Sequence, residues 1–173
     1  RRNLSDEQIL KSCQILHDAG LKVGTINILG LPTETIGNMQ ETLNLNRACK
    51  AEHVSANLFM PLPGVDLTSY AVEKGLLDKN FTSPKSSHHT SDMKYPDDIK
   101  HFLYPFKALF PLLSQKKNIG VITTILMTLP RSLLKMIDSC YRLYSNSRFY
   151  PQVRFSIADK WRAFRRYLRI IYR

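Results

Sequence analysis

Two short runs rich in β-branched and apolar residues, Leu21–Leu29 and Val54–Met60, each end at a turn of glycine and proline, with one helix-length segment between them. That arrangement constrains the fold more tightly than any other feature of the chain. Runs of this length and composition read as buried strands. Gly30-Leu31-Pro32-Thr33-Glu34-Thr35 breaks the first run and Pro61-Leu62-Pro63-Gly64 the second. Between them a helix is expected to about Cys49, with Ile36, Met39, Leu43 and Ala48 as its apolar stripe. Upstream, Leu4-Ser5-Asp6-Glu7-Gln8-Ile9 is a helix start: Ser5 caps the amide three residues on, Gln8 reaches back, and Leu4 and Ile9 suit a hydrophobic staple. Ile9, Leu10, Cys13 and Leu16 give this helix one buried face, and Gly20 ends it in the left-handed region. A short helix from about Asp66 to Lys74 stops at Gly75. Helices alternating with buried strands imply parallel pairing through right-handed crossovers. The expected class is therefore α/β, either an open sheet or part of a parallel (β/α) barrel.

From Leu76 to Asp98 the chain turns polar, and 79–98 reads as a loop or linker. Helix-like segments follow at roughly 97–117, with Pro105 and Pro111 inside, and at 119–129, 131–145 and 156–173. The longest uncharged apolar run, Ile119–Leu129, is too short to span a bilayer. Charge divides the chain in the same place. Residues 1–96 hold ten Lys/Arg and ten Asp/Glu, and residues 97–173 hold the other fifteen Lys/Arg and four Asp/Glu, so the formal +11 resides in the second stretch. Such a split suggests parts with different partners. The division is then 1–78, a 79–98 linker, and a mainly helical basic C-terminal extension over 99–173. Cys13, Cys49 and Cys140 stand far apart, with no CxxC pair, so a reducing cytoplasmic setting is expected. The opening Arg1-Arg2, in place of methionine, suits a processed chain or a piece of a longer one, and no signal peptide is legible.

In parallel α/β sheets, ligands bind at the carboxyl ends of the strands, in the loops that lead to helices. Gly30 at such an end lets a backbone approach a flat ligand, Pro32 pre-sets the next helix, and Glu34 lies near a helix N-terminus, where a carboxylate is favoured. Each residue has a structural explanation as well, since glycine and proline punctuate most strand-to-helix turns.

Asn27-Ile28-Leu29-Gly30-Leu31-Pro32-Thr33-Glu34-Thr35, followed about twenty-five residues later by Pro61-Leu62-Pro63-Gly64-Val65-Asp66-Leu67 and then Gly75-Leu76-Leu77, resembles the second half of the radical S-adenosylmethionine (SAM) barrel. It is most similar to the branch whose members often carry an N-terminal cobalamin-binding domain, and the resemblance covers about residues 1–78. The resemblance implies a SAM site, a [4Fe–4S] cluster and, for this branch, cobalamin, with radical or methyl-transfer chemistry on a small-molecule substrate, a lipid-like one among the options. The strand ending at Gly30 resembles the adenine-contacting G-x-I-x-G segment. Ile28 matches its isoleucine and would pack on adenine, Gly30 matches its second glycine, and Ile26 replaces the first. Thr33 replaces a glycine of the family's G-L-P-G-E-T form, and Glu34 is retained. Phe59 to Pro61 would flank the same cofactor. Asn27 and Asn57, polar within apolar strands, face a barrel lumen or are satisfied edge groups, and the resemblance counts Asn27 with Ile28, Gly30, Glu34, Phe59 and Pro61 among the cofactor-binding residues. The family's C-x-x-x-C-x-x-C motif, whose thiolates hold three irons of the cluster, does not occur in this sequence. The three cysteines read as small core hydrophobes. No metal-ligating or catalytic residue is therefore assigned to this chain, which is expected to be inactive alone and to supply the adenine side of a SAM site.

In the tail, Ile157, Trp161, Phe164, Leu168 and Ile171 form one helical stripe, while Arg162, Arg166, Arg169 and Arg173 run along another face, joined by Lys160 and Arg165. A basic amphipathic helix over 157–173 suits peripheral contact with an anionic membrane surface. It equally suits a terminal helix docked on the domain with its charged face solvated. Nucleic acid is a third option, without a recognition motif beside it. A non-catalytic α/β adaptor using this tail is the rival to the SAM-site reading.

Overall fold

The computed structural model of the chain describes residues 4–82, 91–115 and 128–149, together with Trp161, Arg162 and Arg165. Among these residues the fold is mixed α/β, with five helices and a two-stranded parallel sheet.

Helix α1 (Asp6–Asp18) starts as its sequence dictates: the Ser5 hydroxyl accepts from the Gln8 amide at 3.3 Å and the Gln8 side chain accepts from the Ser5 amide at 2.9 Å. Gly20, at φ 74°, closes it. Cys13 is its buried residue, whereas Leu16, expected on the buried face, is exposed, because α1 packs chiefly on one neighbour, α2 (Ile36–Cys49). Helix α2 has a second capping box, from Thr35 and Asn38. Its stripe continues from Met39 and Leu43 to Asn46 and Cys49, and Ala48 is exposed. Two residues past Asn46 is about 200° around a helix, which turns Ala48 away from the core.

Strands β1 (Gly24–Leu29) and β2 (His53–Leu58) pair in parallel, from Gly24 opposite His53 to Leu29 opposite Leu58, with α2 as the crossover. Both strands are shorter than the sequence runs, and they are not buried on both faces. Thr25, Asn27 and Leu29, with Val54, Ala56 and Leu58, lie on the face covered by α2 and by α4 (Asp97–Gln115). The other face carries Gly24, Ile26 and Ile28 beside His53, Ser55 and Asn57, with Ile26 78 % and Ile28 53 % exposed. The expectation of fully buried strands fails for β1 because α2 and α4 pack on the same side.

Helix α4 completes the core. Leu103, Phe106, Leu109, Phe110 and Leu113 join Leu29, Met39, Leu43, Val54 and Leu58 in one apolar cluster. Phe102, Phe106 and Phe110 form an i, i+4 aromatic ladder, with centroids 4.7 and 5.6 Å apart. Arg47 of α2 donates from Nε to the Leu113 carbonyl at 2.9 Å, which ties the two helices together. On its far side α4 meets α5 (Arg131–Phe149), which extends past the expected end at 145. A buried ion pair joins them, Lys107 Nζ to Asp138 Oδ2 at 2.9 Å, and Gln115 donates to the Tyr141 hydroxyl at 2.6 Å. A smaller cluster of Phe59, Ala71, Leu77 and Met93 packs beneath α3 (Asp66–Glu73).

The expected helix over 119–129 lies outside the described residues except at 128 and 129, which turn into α5. The 157–173 stripe likewise lies outside them, apart from Trp161, Arg162 and Arg165, where Trp161 is helical and exposed. Among the described residues, no helix is long and apolar enough to cross a membrane.

Candidate functional site

The carboxyl ends of β1 and β2 bring together the two turns that stand out in the sequence. After β1 the backbone takes a left-handed conformation at Gly30 (φ 77°) and again at Thr33 (φ 67°). A β-branched residue adopts that region at a penalty of roughly 1–2 kcal/mol, so the loop has at Thr33 a geometry better suited to glycine. Glu34 holds the loop closed: its Oε2 accepts from the Gly30 amide at 2.5 Å and the Leu31 amide at 3.1 Å, while its own amide donates to the Leu31 carbonyl at 3.0 Å. Burial raises the Glu34 carboxyl above the usual carboxylate range, against the two amide bonds that lower it.

After β2, Phe59 continues the pairing by donating its amide to the Leu29 carbonyl at 2.8 Å, and its ring turns into the smaller core. Pro61 is fully buried, and the Leu62 amide donates to the buried Thr68 hydroxyl at 3.0 Å, anchoring the turn on α3.

Residues 91–95 strap these loops together, a role the sequence reading missed by treating the segment as a polar linker. The Tyr95 hydroxyl donates to the Gly30 carbonyl at 2.7 Å, the Ser91 hydroxyl donates to the Phe59 carbonyl at 3.1 Å, and the two hydroxyls lie 3.2 Å apart. Burial pushes the Tyr95 phenol up to about 12. A side-chain carbon at Gly30 would meet the Tyr95 hydroxyl at 2.6 Å and Leu103 at 2.9 Å. The close approach that Gly30 permits is thus made, on that side, by the protein's own tyrosine. The available signal was an aromatic residue before Pro96, two residues after Met93, within a mostly polar stretch.

Of the residues singled out from sequence, Ile26, Ile28 and Asn57 stand on the open sheet face. Gly30 and Glu34 hold each other in the loop, and Phe59 and Pro61 face inward. Asn27 is a satisfied group on the helix-covered face: it donates to Asn46 at 3.1 Å and to the Ser55 carbonyl at 3.0 Å, and accepts from Asn46 at 2.7 Å. Asn57, its counterpart on β2, is on the open face beside Ile28.

The donor set does not fit an iron–sulfur cluster. Cys13 and Cys49 are buried against each other between α1 and α2, Cys140 is exposed on α5, and burial beside Cys13 pushes the Cys49 thiol up to about 12. Among the described residues, no group of three histidine, cysteine or acidic side chains could hold a metal ion. What the strand ends offer is the exposed Ile28 side chain, the Asn57 carboxamide beside it, and a loop closed by Glu34. Comparison with known families, curated proteins and solved structures finds no match to this chain.

Proposed function

We propose that this chain supplies later strands of a radical SAM (β/α) barrel and, with them, the adenine side of its SAM site. The observation that carries the reading is the asymmetry of the sheet. Helices α2 and α4 cover one face of β1 and β2, while the other is open, with Ile28 exposed on it. A parallel barrel keeps helices outside and fills its interior with side chains from the inner strand faces, so an arc taken from one has this asymmetry. The left-handed Thr33, standing where the resembling form has glycine, adds support. Ile28 packs on the base, Glu34 fixes the loop amides, and Ser91 and Tyr95 hold the two strand ends in register.

The cysteines of this chain do not fit a [4Fe–4S] cluster, so the cluster ligands belong to another part of the protein and no catalytic step is assigned to residues here. A cluster held elsewhere would supply the reductive chemistry of such a site, and the branch resembled would add cobalamin for methyl transfer. Two experiments test the reading. The coding sequence upstream of the Arg1 codon should specify C-x-x-x-C-x-x-C within a barrel's length, and its absence there ends the proposal. In the full-length protein, Ile28→Asp should abolish SAM binding with the circular dichroism spectrum unchanged; retained binding counts against the adenine side.

A second reading is favoured by exposed Trp161, flanked by Arg162 and followed by Arg165: a basic tail that holds the protein at an anionic membrane surface. Co-sedimentation with phosphatidylserine vesicles should fall when residues 151–173 are deleted. Unchanged binding removes this role.

A further inference from the structure

Helix α5 has two apolar sides. One packs on α4 through Leu134 and Tyr141, with Asp138 between them in its buried pair with Lys107. The other faces away from that contact: Met136 is 44 % and Tyr144 55 % exposed, and Cys140 between them is exposed as well. Residues four apart advance by about 40° around a helix, so these three make one stripe, and Cys140 stands about 200° around from Asp138. Charge is sorted in the same way. Asp138 is the one acidic residue of α5 and is turned inward, while Arg131, Lys135, Arg142 and Arg148, the other charged residues of the helix, are all basic. An apolar stripe on a helix whose remaining formal charge is wholly positive complements a surface that is apolar beneath an anionic layer. Methionine and tyrosine side chains suit the boundary between headgroups and acyl chains, and lysine and arginine suit the anionic headgroups above it. Nucleic acid would use the positive charge and leave the apolar stripe uncovered. The same combination recurs at exposed Trp161 with exposed Arg162 and Arg165.

We propose that Met136, Cys140 and Tyr144 are a lipid-facing stripe by which α5 lies on an anionic membrane surface. The inference rests on the membrane reading of the tail given above and deepens it by placing a contact on a helix packed into the fold. The test uses the whole 173-residue chain, with an environment-sensitive fluorophore on Cys140, the exposed thiol; Cys13 and Cys49 are buried. Vesicles of phosphatidylserine and phosphatidylcholine should shift the emission to the blue, and vesicles of phosphatidylcholine alone should not. Met136→Asp and Tyr144→Asp, both at exposed positions, should each weaken vesicle binding roughly tenfold with an unchanged circular dichroism spectrum, since each removes apolar contact and adds negative charge at the surface. Lys135→Glu, which changes the charge by two, should weaken it by roughly 25-fold, at about fivefold per charge. If the chain sediments with the anionic vesicles, loses that binding in Trp161→Asp, and yet shows neither a response at Cys140 nor an effect of Met136→Asp and Tyr144→Asp, the α5 stripe is overturned and the tail reading stands. Absence of sedimentation with anionic vesicles overturns both. A blue shift that grows with protein concentration without vesicles means that a second copy covers the stripe, and a response to an RNA oligomer in place of vesicles means a nucleic-acid surface; either overturns the proposal.

Discussion

Removing Asp138 should be among the most damaging single changes available to this fold. Its Oδ2 lies 2.9 Å from Lys107 Nζ, and the two side chains are only 2 % and 4 % exposed. At an effective dielectric of about 20, the attraction at that distance is about 6 kcal/mol. Taking both charges out of water costs several kcal/mol per ion, so the intact pair comes near to breaking even. Deleting one partner removes the attraction and leaves the other charge buried. Asp138→Ala should therefore destabilise the chain by about 3–5 kcal/mol, a large share of the 5–15 kcal/mol typical of a folded domain. With a urea slope of about 2 kcal/mol per molar, the midpoint should fall by roughly 1.5–2.5 M, followed by circular dichroism. The double substitution Lys107→Met with Asp138→Leu should recover most of that loss, because it removes the buried ammonium together with the carboxylate. A single variant losing under about 1 kcal/mol, or a double variant as unstable as the single, would refute the reasoning.

Gly30→Ala should cost about 2–4 kcal/mol, from left-handed strain at φ 77° and displacement of the Tyr95 hydroxyl that its new carbon would meet at 2.6 Å; thermal unfolding measures it. Tyr95→Phe should cost about 1 kcal/mol near neutrality through the lost bond to the Gly30 carbonyl. Its alkaline behaviour has a definite sign: the folded phenol holds its proton up to about 12 against an ordinary 10.0, so its contribution is intact below pH 10 and is lost as pH rises towards 12. Wild type should lose stability across that window by more than the phenylalanine variant, and parallel curves would count against the buried phenol. Glu34 titrates with the same sign at lower pH, because its carboxyl is raised above 4.5: stability declines as pH rises through the folded value, and Glu34→Gln should flatten that slope in a pH series of urea midpoints. Under native conditions a thiol reagent should modify exposed Cys140 and spare Cys13 and Cys49 until unfolding, as read by intact mass.

What the sequence made legible was local. Ser5 and Gln8 announce α1, Gly20 and Gly75 mark real chain reversals in the left-handed region, and two strand runs around one helix yield the parallel pair. Even here the Thr35 capping box went unread, because Asn38 rather than glutamate or glutamine completes it. What escaped depends on residues distant in sequence. Which face of the sheet is covered is decided by α2 against β1 and by α4, about forty residues downstream, against β2, and nothing in Thr-Ile-Asn-Ile itself says which side those helices take. Ser91 and Tyr95 reach the strand ends by hydroxyl contacts that follow no periodic pattern. Lys107 and Asp138 lie in different helices and leave no local trace of their pairing.

A two-stranded sheet is marginal by itself, and this one persists because α2 and α4 bury Leu29, Val54, Ala56 and Leu58 against Phe106 and Leu109. That solution uses one face only. Covering Ile26 and Ile28, now 78 % and 53 % exposed, would stabilise the fold by about 2–4 kcal/mol on the usual scale for a buried isoleucine. The chain forgoes that gain at adjacent positions of one strand, beside an asparagine it also leaves unsatisfied by any described residue, and at the strand ends where α/β proteins bind ligands. Single exposed apolar residues need no explanation, whereas here two share one strand face beside a polar margin. The same exposure that weakens the isolated fold is therefore the strongest structural argument that this face belongs to a site.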